Sequence, residues 1–232
     1  MSDFTHFPHR VPIFPLPLVF FPGQVKTLYI FEQRYKDLLQ LCIRTGTPFG
    51  IVLAQPPSKT EPQPLPKRIG TLAHVFEVRR QPDDTFLIQI YGGERFKVTQ
   101  FYHDATFLQA SINSATLSHS ATEATVKLSD KVNALLDRYL EALTQASGIE
   151  FQVADMPETA EQLAYLTANV LQINNEQKQE LLEKTTLPEL LAAEISYLHS
   201  EMDLMDWINQ TIESPINNLF TGPGPVSTVS LN

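Results

Sequence analysis

The 232-residue chain predicts an α+β fold, with strands gathered in its first half and helices in its second. Three observations carry that expectation. Residues 11–113 hold β-branched and aromatic runs separated by Pro, Gly and Asp turns. Residues from about 120 to 213 place apolar side chains at helical spacing. The composition, 43% hydrophobic and 19% charged, suits a globular chain large enough to bury a core without a disulfide or a metal. Strands and helices segregated in this way mark α+β architecture rather than alternating βαβ units.

The first apolar run, Val11 to Phe21, contains Pro12, Pro15 and Pro17. Each proline removes a ladder donor, so an edge strand or an extended segment is expected. Pro22-Gly23 has the order a type II turn requires, a fixed φ followed by a positive one. Val25 to Phe31 then reads as a strand with Val25, Thr27, Tyr29 and Phe31 on one face. A helix is expected over Glu32 to Thr45, because Tyr35, Leu38, Leu39, Cys42 and Ile43 fall on one stripe, and Gly46 should end it. Phe49 to Ala54 reads as a short buried strand. Five prolines between residues 55 and 68 predict an exposed loop.

Ile69 to Val78 alternates as a strand, Pro82-Asp83-Asp84 turns the chain, and Thr85 to Tyr91 returns. Gly92-Gly93 is expected to bend it again into Glu94 to Phe101, before a last strand over Thr106 to Ile112. Several short strands so closely spaced predict a small barrel or folded sheet, with the helix plugging one side.

The second half reads as a helical bundle. Val132, Leu135, Leu136, Tyr139, Leu140 and Leu143 make one stripe. Thr159 with Gln162 forms a capping-box pattern ahead of Leu163, Leu166, Val170 and Leu171. Asn174 is expected to cap a shorter helix holding Leu181 and Leu182. Thr186 with Glu189 repeats the pattern, with Pro188 in a permitted first-turn position, and starts a helix that runs toward Trp207 and Ile212. The boundaries predicted are 10–116 for the β-rich part, 117–213 for the bundle and 214–232 for a mobile tail.

Motifs that carry chemistry are missing. The sequence has no phosphate-binding glycine loop, no G-x-S-x-G elbow and no Cys/His set at zinc spacing. His6 and His9 are separated by Pro8 and lie in the first ten residues, a weak basis for a metal site. The single cysteine, Cys42, sits on the buried stripe of its helix and reads as a small hydrophobe. Asp83 and Asp84 read as turn formers. The expectation is therefore no catalytic residue, no cofactor and no metal. One cysteine, no apolar run of membrane length and no basic-then-apolar leader predict a cytoplasmic protein.

Charge divides the chain: residues 1–116 carry a net +3 and residues 117–232 a net −12. An acidic half opposes wrapping of duplex DNA, whereas the first half leaves room for a small RNA site at Arg79, Arg80, Arg95 and Lys97. The more prominent candidates are aromatic: Phe20, Phe21, Tyr29, Phe31 and Tyr35, with Arg34 among them. Phe20 and Phe21 are adjacent, so in an extended chain they face opposite ways and one of them is expected to reach solvent.

Read in order, three stretches resemble the substrate-binding N-terminal domain of Lon-type ATP-dependent proteases. They are Phe14-Pro-Leu-Pro-Leu-Val-Phe-Phe-Pro-Gly23 with Leu28-Tyr-Ile-Phe-Glu-Gln-Arg-Tyr35, then Ile69-Gly-Thr71 with Gly93-Glu-Arg-Phe96, then Glu176-Gln-Lys-Gln-Glu-Leu-Leu-Glu183. The resemblance covers about residues 10–205, by the order and spacing of these landmarks. It implies a PUA-like β-barrel followed by a helical bundle, and recognition of unfolded or exposed apolar polypeptide segments. Without the ATPase and Ser-Lys peptidase motifs of Lon proteases, it implies a stand-alone, non-catalytic binding protein or adaptor. RNA binding by a PUA-like barrel is the alternative, and the oligomeric state is left open.

Overall fold

A computed structural model describes residues 10–57, 65–147 and 157–213. The strands come first: β1 (Val11–Leu16), β2 (Val25–Ile30), β3 (Phe49–Leu53), β4 (Ile69–Arg80), β5 (Phe86–Tyr102) and β6 (Gln109–Ser114), with helix α1 (Gln33–Thr45) between β2 and β3. Helices α2 (Glu123–Ser147), α3 (Ala160–Val170), α4 (Asn175–Leu182) and α5 (Leu187–Glu213) follow. The predicted loop at 55–68 is described only at its two ends, and the predicted tail at 214–232 lies outside the described residues.

The strands lie in the order β2-β5-β4-β3-β1-β6, and β5 also pairs with β6. That extra pairing closes five strands into a ring and leaves β2 outside it, attached to β5. The sharing is achieved by the 17-residue length of β5. Phe86 to Tyr91 pair with β2, and Phe96 to Tyr102 pair with β6. The two separate strands expected on either side of Gly92-Gly93 are one, because the glycines change the strand's partner without ending it. Gly92 has a steric reason to be glycine: a Cβ there would stand 2.2 Å from the carbonyl oxygen of Phe21. The close approach is held by bonds from Gly23 N–H to Gly92 O and from Gly92 N–H to Gln24 O, each 2.8 Å. Gly23 supplies the positive φ of 76° expected of it.

β1 is not an edge strand, contrary to the expectation from its prolines. It runs parallel to β3 on one side and antiparallel to β6 on the other. The register explains how the prolines are tolerated. Pro12 lies opposite β6, just before the β3 register opens at Ile13, and Pro15 lies opposite β3, after the β6 register has ended. Neither neighbour asks a missing N–H for a bond.

Three apolar clusters fill the molecule. Leu38, Leu39 and Cys42 of α1 close one side of the barrel over Phe14, Phe20, Leu28, Ile30, Phe49, Ile51, Ile88 and Ile90. Ile43, expected on the same stripe, is instead exposed on the helix rim. Val11, Ile13, Val52, Leu72, Phe96, Val98 and Ala110 fill the rest of the ring. The third cluster joins barrel to helices: Val19, Phe21 and Leu53 pack with side chains of α2 to α5.

This settles the expectation for Phe20 and Phe21. They do face opposite ways, yet neither reaches solvent, because the segment runs between two cores and each ring enters one. Thr71 fixes the segment by donating its hydroxyl to Phe20 O at 2.6 Å. Polar ties cross the same junction. Gln179 Nε2 donates to Ile69 O at 3.1 Å, Asn175 Nδ2 to Pro17 O at 2.8 Å, and an Arg95 guanidinium nitrogen to Lys184 O at 2.8 Å.

The helix starts are as the sequence predicts. Thr159 accepts from Gln162 N–H while Gln162 accepts from Thr159 N–H, and Asn174 and Gln177 reciprocate in the same manner. At Thr186 the pattern is modified: its hydroxyl accepts from Glu189 N–H at 3.3 Å, but Glu189 takes its second bond from the Thr185 hydroxyl. The 27 residues of α5 span roughly 40 Å at about 1.5 Å per residue.

Candidate functional site

The outside of the sheet carries a group of exposed aromatic and apolar side chains. Along β2 the buried side chains are Leu28 and Ile30, which face α1. Alternation then sends Val25, Thr27 and Tyr29 to the opposite face, as predicted. Register carries three rows across β5 to β4: Val25 beside Tyr91 and His74, Thr27 beside Gln89 and Glu77, and Tyr29 beside Leu87 and Arg79. The first row is aromatic and apolar with the His74 ring at its end, the middle row is polar, and the last joins Tyr29 and Leu87 to the charged Arg79.

Two further aromatics enlarge the outer rows. Phe76 sits at a register shift in β4, its ring 6.4 Å from that of Tyr91, and His74 stacks on Tyr91 at 4.8 Å. At the other end Phe31 lies 5.9 Å from Tyr29. Val25, Phe31 and Phe76 are 63%, 60% and 53% exposed, so the chain leaves more than half of each uncovered. Neighbouring exposed apolar side chains of this kind mark interaction surfaces more often than scattered ones do.

The electrostatics keep the face nearly neutral. Burial holds the His74 imidazole below its ordinary pKa, with Glu94 4.0 Å away opposing that shift weakly, so at neutral pH the ring is uncharged. Arg79 is bound to Glu77 at 2.6 Å. Tyr29 donates its hydroxyl to Asp83 at 3.1 Å, and Asp83 also accepts from Thr85, which holds its carboxyl below the usual range. Depressions flank the face. A cleft of about 840 Å³ opens between the Pro22–Gln24 turn and α3, and one of about 340 Å³ lies at Tyr29, Pro82, Asp83 and Leu87.

The remaining sequence-predicted residues fall elsewhere. Arg34 pairs with Glu32 at 2.7 Å and lies over the Tyr35 ring, while Tyr35 stacks on Phe14 at 4.0 Å. Tyr35 thus fastens α1 to β1, and both residues line a separate depression with Pro15 and Phe107. Arg80 is held by Asp84 at 2.6 Å. Arg95 is buried at the barrel–helix junction, and Lys97 is exposed opposite Ile69. Ten residues of β4 separate that end from Arg79, roughly 30 Å of extended chain, so the four cations do not form one patch. Among the described residues no group of three or more His, Cys, Asp or Glu is placed to hold a metal, and no helix is long and apolar enough to cross a membrane.

Val25 and Tyr29 share one face of β2 with Phe31 beside them, as alternation in the sequence predicts. Tyr91, His74 and Phe76, their neighbours across the sheet, were not among the residues predicted for this face. Alternation puts His74 and Phe76 on one face of β4, but the register that sets them beside Tyr91, and the shift that brings Glu77 to the same face, arise only on pairing.

Fold and face together define the class: a small barrel plugged by one helix, joined to a helical bundle, with its free chemistry on an open sheet and not in an enclosed pocket. The chain belongs to the family described as the ATP-dependent protease La (LON) substrate-binding domain, whose model matches residues 10–200. It is similar to Lon protease 2 of Myxococcus xanthus, 22% identical over 206 residues, covering 88% of this chain and 25% of that protein. Lon protease of Bacillus thuringiensis is 30% identical over 141 residues, covering 59% of this chain and 17% of that protein. The chain thus spans about a quarter or less of the length of these curated relatives.

Among solved structures, the N-terminal domain of Mycobacterium avium complex Lon protease superposes with a TM-score of 0.62 at 17% identity, covering 82% of this chain and 98% of that one. The Lon N-terminal domain protein from Xanthomonas campestris gives 0.58 at 20% identity, covering 85% and 98%. These likenesses concern the fold.

Proposed function

We propose that this chain is a non-catalytic module that binds polypeptide segments with exposed apolar residues, using the outer face of β2, β5 and β4. The observation that carries the reading is the pair of exposed aromatic rows, Val25–Tyr91–Phe76 and Tyr29–Phe31, on a face kept near neutrality. The family's description as a substrate-binding domain of an ATP-dependent protease supports it. Two separated apolar rows suit a flexible chain that can place one side chain on each; a folded partner with a flat polar surface would leave the aromatics in water. The RNA reading needs its four cations free and together, and burial of Arg95 weighs against it.

Substitution tests the reading directly. Replacing Phe31 and Tyr91 with Ser removes one aromatic from each row at exposed positions, so the fold should survive. Binding of labelled, reduced and carboxymethylated lysozyme should weaken at least tenfold, equal to about 1.4 kcal/mol. Unchanged binding in that variant would overturn the assignment of the face.

A further inference from the structure

The free edge of β2 borders this face, and its hydrogen-bonding groups can be assigned from the register. Gly92 N–H donates to Gln24 O, and the pairing that follows runs Val25 with Tyr91, Lys26 with Ile90 and so on to Ile30 with Phe86. Bonded and non-bonded pairs alternate along an antiparallel ladder. Starting from the bonded pair at Gln24, the residues that bond β5 are therefore Lys26, Leu28 and Ile30. Val25, Thr27 and Tyr29 turn their N–H and C=O groups away from β5. No other strand among the described residues pairs with β2. No described group bonds these three main-chain units.

Proteins ordinarily blunt such an edge with charges, prolines or bulges. Here the three outward residues are Val, Thr and Tyr, two β-branched and one aromatic, all strand formers. The strand's one charge, Lys26, belongs to the other face. Outward donors recur every two residues, roughly 6.8 Å apart, each next to an acceptor of the same residue. Only another extended main chain offers the matching sequence of acceptors and donors; a phosphate backbone supplies acceptors alone. The edge also runs from the cleft at Pro22–Gln24 to the depression at Tyr29 and Asp83, so side chains of an added strand would have a hollow at each end.

We propose that the occupant is an extended polypeptide segment that adds to β2 as a further strand, bonded to the main chain of Val25, Thr27 and Tyr29, with alternate side chains on the aromatic rows. This rests on the polypeptide-binding reading above and specifies its mode. Main-chain bonds supply affinity that is indifferent to sequence, and the rows select for apolar content. A segment locked in a helix, or rich in proline, would be rejected because it cannot offer the ladder.

Thr27→Pro tests the mode. The substitution deletes an N–H that the fold does not use, at a position whose extended backbone proline accepts, and Thr27→Val controls for the side chain. With the same labelled lysozyme, Thr27→Pro should bind at least tenfold more weakly and Thr27→Val as the wild type. Amide hydrogen exchange of the wild-type protein supplies an arm independent of that variant's folding: Val25, Thr27 and Tyr29 should exchange rapidly when free and at least tenfold more slowly when bound. If Thr27→Pro binds normally and these amides stay unprotected while the Phe31/Tyr91 variant is weak, strand addition is wrong and the polypeptide-binding face stands. If neither variant is weak, the face itself is wrong. If the wild type self-associates, and Thr27→Pro abolishes that association but not lysozyme binding, the occupant is a second copy and the proposal fails.

Discussion

Glu194 is fully buried on α5, and neither of its carboxylate oxygens has a hydrogen-bond partner among the described residues. Burial raises its pKa well above the ordinary 4.5 and so favours the neutral form. The sign of the linkage follows. Between 4.5 and the folded value the native chain holds a proton that the unfolded chain has lost, so stability declines as pH rises through that interval. Replacing Glu194 with Met, similar in volume and apolar, should raise stability by about 1–3 kcal/mol at neutral pH. The gain should shrink below pH 4.5, which denaturant unfolding at several pH values would measure. The position was visible in the sequence, since Glu194 falls among Leu190, Leu191, Ile195 and Leu198 at helical spacing. Cys42 was read correctly as a small hydrophobe: it is buried, and desolvation pushes its thiol up to about 12. Ellman's reagent should therefore leave it unmodified at pH 8 in the native protein and react fully once the chain is unfolded.

At the scale of elements, helix starts were the most legible feature because they are local. Thr159 and Asn174 stand three residues before a glutamine, and the reciprocal bonds form as that spacing dictates. Thr159→Ala should cost about 1 kcal/mol in urea unfolding. Strand partners were less legible, because pairing is decided between distant segments. The prolines of β1 argued for an edge, but their cost depends on which neighbour faces each missing N–H. Likewise Gly92-Gly93 looked like a break and serves instead as the point where β5 exchanges β2 for β6. The face was half legible for the same reason: Tyr29 and Phe31 could be placed by alternation in one strand, whereas Tyr91, His74 and Phe76 needed the register of three.

For the whole molecule, the segment from Val19 to Phe21 connects two cores. Phe20 enters the barrel and Phe21 the cluster built with α2 to α5, so neither part is completed without this stretch. Phe21→Ala should cost about 3–5 kcal/mol. We expect strands and helices to lose structure in one transition in that variant as in the wild type. Far-ultraviolet circular dichroism and Trp207 fluorescence, followed through the same urea series, would reveal two transitions if the parts were independent. The acidic second half, net −12, keeps the helical surface unattractive to polyanions and places the burden of recognition on the near-neutral first half.

If the open, aromatic sheet face binds polypeptide through apolar side chains and main chain, unfolded chains should be preferred over folded ones. Fluorescence anisotropy of labelled lysozyme, once reduced and carboxymethylated and once native, titrated with this protein at low and moderate salt, tests it most directly. Binding of the unfolded form should be saturable and persist at moderate salt, with the native form at least tenfold weaker. Equal binding of both forms, or binding that vanishes when salt is added, would contradict it.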